Sequence, residues 1–165
     1  MNASLRSLYR SYGGLSALVS SPYSWLSLIA AVAQWPTVPN SKWVETAFDV
    51  LPSLAGFSIA AFAILFSILD QSAREALRSP APELGGRSPL LVLASGISHT
   101  LIVQITALIY ALIYRAKPLP NIGTDISTLA NLIFSSIGVF ALSYAIILVL
   151  ASVLSIFRML DLTTG

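Results

Sequence analysis

From Val50 to Leu69 the chain runs 20 residues without a charge, VLPSLAGFSIAAFAILFSIL, and the run ends at Asp70. At about 1.5 Å per residue, a helix of that length covers roughly 30 Å, the thickness of a bilayer's hydrocarbon core. Composition decides whether such a run belongs in lipid or in a soluble core. Of the 165 residues, 56% are hydrophobic and only 10% are charged, and the mean hydropathy is +0.81. Soluble domains carry about 25% charged residues. A chain this poor in charge cannot cover a water-facing surface, so its class is integral membrane.

Within the run the small residues are ordered. Ser53, Gly56, Ala60, Ala63 and Ser67 step by three and four, which on a helix is one narrow stripe flanked by Phe57, Phe62, Ile64 and Phe66. In lipid, apolar burial gives helices no net reason to associate, so close backbone approach through small residues has to supply it. The stripe therefore reads as a packing spine. Its partner is either another helix of the same chain or a second copy of it.

Around the spine the chain divides into four expected spans, about 15–35, 50–69, 89–114 and 126–157. Residues 2–12 place Leu5, Leu8, Tyr9 and Tyr12 on one face and suit a short interfacial helix. Gly13-Gly14 and Pro22 interrupt the first apolar region, which favours an uncleaved segment over a signal peptide. Ser20-Ser21-Pro22 is a helix start, so the first span either kinks at Pro22 or dips in as a re-entrant segment. Trp43, Ala47 and Val50 share a face before Pro52 and read as a further interfacial turn, with Ser41 as its cap. Residues 70–88 form a polar loop broken at Ser79-Pro80, and Pro89 opens the third span. Thr124 or Asp125 caps the fourth, and Arg158 closes it.

The expected fold is thus all-α, a single membrane domain over 1–165 with four transmembrane helices and short interfacial ones. With four spans, Arg6, Arg10, Arg74, Arg78, Arg87 and Arg158 share one side, whereas Lys42, Arg115 and Lys117 share the other. The positive-inside rule then puts both termini in the cytoplasm of a cell with an inner membrane. If the first segment does not span, three crossings remain and the N-terminus moves outside.

Polar residues concentrate in the last two spans. Ser95, His99 and Thr106 fall near one face, Gln104 is close by, and Asn131 and Ser135 begin a three-four stripe that continues through Gly138, Leu142 and Ala145. Such groups need partners in hydrocarbon and belong in the bundle interior. His99 is the single histidine. It is either a proton-sensitive or pore-lining group, or a neutral imidazole tying helices together through Ser95, Asn131 or Gln104. Asp70 either gates a pore mouth or pairs with Arg74 four residues on.

Several chemistries lack their residues. There is no cysteine, so disulfides, thiolate metal sites and thiol nucleophiles are excluded. No nucleophile elbow, zinc-protease motif or phosphate-cradling glycine loop occurs, and neither an enzyme nor a cofactor or metal is expected. The net charge of +2 is spread along the chain without a basic patch, so nucleic acid is not an expected partner.

The segment Leu54-Ala55-Gly56-Phe57-Ser58-Ile59-Ala60-Ala61-Phe62-Ala63-Ile64 resembles one seen in small multi-span bacterial and prophage membrane proteins, some of them in phage-exclusion or phage-defence systems. The resemblance implies an inner-membrane effector that conducts ions and depolarises the membrane, and it carries over no catalytic or binding residue. The expected function is therefore a non-enzymatic, self-associating protein that permeabilises or gates the membrane. The alternative is an accessory or anchor subunit of a larger membrane complex.

Overall fold

A computed structural model describes residues 19–68, 71–116 and 124–164. The expectations for residues 2–12, Asp70 and Lys117, and for the side chain of Arg158, lie outside the described residues. The described chain is helical: α1 (Pro22–Ala33), α2 (Trp43–Ile68), α3 (Gln71–Arg78), α4 (Pro89–Arg115) and α5 (Thr124–Thr164), with 3-10 turns at Trp35–Thr37 and Pro82–Leu84. Three of these helices are long and apolar enough to cross a membrane, over Trp43–Ile64, Pro89–Arg115 and Asp125–Phe157. Within the first expected span the described residues hold the 12-residue apolar α1, shorter than these three, and residues 15–18 lie outside the described residues.

Prolines set the bounds of α1. Ser21 sits in an extended conformation (φ −67°, ψ 130°), as residues before proline do, and its hydroxyl accepts from Tyr23 N. After Gln34, the Trp35-Pro36 step forces a 3-10 turn and ends the helix. α4 opens in the same way. Ser88 caps it with Pro89 at the first position, and the Ser88 hydroxyl also donates to Leu77 O at 2.8 Å, tying the loop helix α3 to the bundle.

Between Ser41 and Leu69 the structure differs from expectation. No separate interfacial turn precedes Pro52; one continuous 26-residue helix, α2, runs through it. Trp43, Val44, Ala47 and Leu51 are buried against the bundle, not laid on a membrane surface. The Ser41 hydroxyl reaches across to Tyr114 Oη at 3.0 Å. α5 also outruns its expected end, continuing to Thr164.

α2 and α5 run parallel and α4 runs antiparallel to both. Trp43 meets Tyr110 and Tyr114 at one end of the bundle, and Phe62 packs with Leu93, Ile97 and Ile156 towards the other. The core has two parts: a larger cluster around Trp43, Leu51, Ala107, Ala111, Val139 and Leu142, and a smaller one around Leu77, Leu93 and Ile97. On α4 the buried line is Leu93, Ile97, Thr100, Gln104, Ala107 and Ala111, a strict four-three alternation of the kind that packs at a shallow helix crossing.

Candidate functional site: the polar interior of the bundle

The spine residues lie on the outside of the single chain. Ser53, Gly56, Ala60, Ala63 and Ser67 are all exposed, and a Cβ placed on Gly56 would meet nothing within 4 Å. Of the two partners left open for the stripe, a helix of the same chain does not cover it among the described residues. α2 turns a bulkier face inward, through Ala47, Leu51, Ser58 and Phe62, and Ser58 lies about 200° round the helix from Gly56.

Four of the six polar candidates are interior. Ser95, His99, Gln104 and Ser135 are buried at 5, 2, 0 and 0% exposure. Thr106 and Asn131 are exposed, contrary to expectation. Thr106 lies about 100° off Ala107 and 200° off Gln104, outside the line that α4 presents to its neighbours. Asn131 lies against the last turn of α4, where its Oδ1 accepts from the hydroxyl of Tyr114. Tyr114 in turn accepts from Ser41.

His99 is joined to Tyr144, a partner that no sequence signal singled out. The His99 Nε2 to Tyr144 Oη distance is 3.2 Å, and the tautomer of the imidazole sets which atom donates. The two rings meet edge-on at 6.1 Å, and Phe140 stacks parallel on Tyr144 at 6.0 Å. Along α5, Tyr144 is nine residues from Ser135 and eleven from Ser155, so the pair sits about midway through the bundle.

The remaining interior groups clasp helices together. Ser135 accepts from Trp43 Nε1 at 2.7 Å and donates to Val38 O at 2.7 Å, fixing the connection after α1 to both α2 and α5. Trp43 is 2% exposed; it stacks with Tyr110 at 6.0 Å and its ring lies over Gly138. Gln34 Nε2 donates to Ser143 Oγ at 3.0 Å, pinning the end of α1 to α5. Thr100 and Ser152 share a hydroxyl contact at 2.8 Å between α4 and α5. Ser95 donates to Val92 O of its own helix. Gln104 is different: neither its Nε2 nor its Oε1 has a partner among the described residues. At that depth an unpaired amide costs several kcal/mol, of order 2–7 by transfer measures.

Among the described residues no cluster of three or more His, Cys, Asp or Glu could hold a metal ion. The arrangement offers hydroxyls, one imidazole and the amides of Gln34 and Gln104 in an apolar surround, chemistry suited to holding water or moving protons. No protein-family model, curated protein or solved structure matches the chain.

Proposed function

We propose that this is a non-enzymatic protein of the inner membrane that crosses the bilayer four times. In this reading it keeps both termini in the cytoplasm and self-associates to permeabilise or gate the membrane as a phage-defence effector. The observation that carries the reading is the exposed small-residue stripe of α2. Its face is open at Gly56, whereas the opposite face of the same helix already packs the chain's own core. Small residues at three-four spacing let a second helix approach closely in lipid, where close packing replaces the hydrophobic drive.

The fourth crossing is supported by what residues 21–38 touch along α5. Ser21 shares a cleft with Ser155, Gln34 bonds Ser143, and Val38 bonds Ser135. Ser135 to Ser155 is 20 residues of helix, about 30 Å. The short α1 and the turn after it together match about a bilayer's depth along α5, with Ser27 and Val38 buried within that stretch. Ser21 then shares a side with Arg74, Arg78 and Arg87, the arginine-rich side that the positive-inside rule puts in the cytoplasm.

The test is induced expression in bacteria loaded with a membrane-potential dye, with the size of the detergent-extracted protein measured in parallel. The expected result is depolarisation together with a discrete oligomer, and loss of both in Gly56→Leu at unchanged protein level. A monomer that leaves the potential intact overturns the reading in favour of an accessory subunit, whose stripe would meet a helix of another membrane protein.

A further inference from the structure

At the arginine-rich end of the bundle a cleft of about 120 Å³ opens between α1, α4 and α5, lined by Ser21, Gly96, Thr100, Leu148, Ser152 and Ser155 among others. Its hydroxyls are graded in depth. Ser155 is exposed, Ser152 is half-buried, and Thr100 is 1% exposed. Each of these three hydroxyls spends its proton on a nearby oxygen: Ser155 on Ala151 O, Ser152 on Leu148 O, and Thr100 on Gly96 O or Ser152. What they present to the cleft is acceptor oxygen at successive levels. The space is about that of four waters at ~30 Å³ each, and a water needs two to four polar partners to be held. One helical turn beyond Thr100, on the same buried line of α4, lies Gln104, whose fully buried amide has no partner among the described residues.

We infer that this cleft is a hydrated inlet within a single chain, carrying water from the arginine-rich end to the middle of the bundle, towards Gln104. Thr100, its floor, is the chain neighbour of His99. The inlet therefore brings water, and with it exchangeable protons, close to the His99–Tyr144 pair from one side of the membrane. It stands whether or not the chain self-associates.

Because the chain has no cysteine, single thiols report water without background. Ser155→Cys, Ser152→Cys and Thr100→Cys are each made in the full chain in lipid vesicles, with the lipid-facing Ile109→Cys as reference. They are exposed to Ag⁺, an ion small enough for the cleft, and remaining free thiol is counted by gel shift with a maleimide polymer. The reactive species is the thiolate, which an apolar surround suppresses, so thiols in a wet cleft react about tenfold faster or more than one facing lipid. The expected order is Ser155→Cys, then Ser152→Cys, then Thr100→Cys, all above Ile109→Cys. Gly96 has open space beside it, so Gly96→Leu should plug the cleft and slow Thr100→Cys towards the reference rate while leaving Ser155→Cys fast. Labelling of Ser152→Cys and Thr100→Cys at the Ile109→Cys rate would mean that lipid fills the cleft, and the inference fails. Thr100→Cys labelling that ignores the Gly96→Leu plug overturns it equally.

Discussion

Gly138→Ala adds one methyl group at the point where α5 meets the Trp43 ring. A Cβ there would lie 2.7 Å from Trp43 Cε2 and closer still to Cζ2 and Cη2. An ordinary carbon contact is about 3.5 Å, so the ring has to retreat by at least about 0.8 Å. It has little freedom to do so: Trp43 is buried, flanked by Tyr110 and Tyr114, and held through Nε1 by Ser135 at 2.7 Å. A shift of that size takes the hydrogen bond to the edge of bonding distance. Overpacking costs about 1–3 kcal/mol, and the weakened hydrogen bond adds about 0.5–1.5 kcal/mol. Alanine's better helix propensity returns about 0.5–1 kcal/mol. The expected net loss is therefore about 2 kcal/mol, a fall in Tm of about 4–8 °C for a chain of this size. The measurement is thermal unfolding in detergent followed by size-exclusion chromatography, with Gly56→Ala as the comparison, since that site is open. Equal Tm values for the two variants would refute the packing argument. In a double-mutant cycle, Gly138→Ala should cost less on a Trp43→Phe background, because the ring atoms that collide are those of the indole's larger ring.

Ser135→Ala strands the buried Trp43 N–H and the Val38 carbonyl together; at about 1–3 kcal/mol per unsatisfied group, it should lower the same Tm more than Ser155→Ala does. Tyr144→Phe removes the hydroxyl that meets His99, and interhelical hydrogen bonds in membranes average about 0.6 kcal/mol, so reversible unfolding in SDS should shift only slightly; a collapse of the fold would contradict a simple pairwise contact. Gly86→Ala forces a side chain onto a backbone at φ +76° and should cost about 1–2 kcal/mol, seen as faster proteolysis of the 79–88 loop. Gly56→Leu should leave the unfolding of the monomeric chain unchanged, since its surroundings are open, and act on assembly alone.

Membrane class, the long helices at Pro89–Arg115 and in the Val50–Leu69 region, and the helix starts at Ser21-Pro22 and Pro89 were legible from local chemistry. Charge-free length, proline geometry and serine capping act within a few residues and need no knowledge of neighbours. The depth of His99 followed from counting along its helix. The three-four stripe from Ser135 through Gly138 and Leu142 to Ala145 was equally visible, and it is the buried line of α5.

The tertiary structure alone decided which face meets what. In water an apolar face announces burial, but in lipid both the lipid-facing and the core-facing sides of a helix are apolar, so periodicity reveals a stripe without naming its partner. That is why the spacing of the Gly56 stripe left its partner open, and the described helices of the chain leave it uncovered. Thr106, two residues from Gln104, is exposed for a related reason: the faces that neighbouring helices cover are set by how those helices lie. Tyr144 as the partner of His99, and the clasp of Trp43, Ser135 and Val38, join residues 45 to 97 positions apart. Long-range pairings of that kind are fixed by how the helices stack, which no local pattern in the chain encodes.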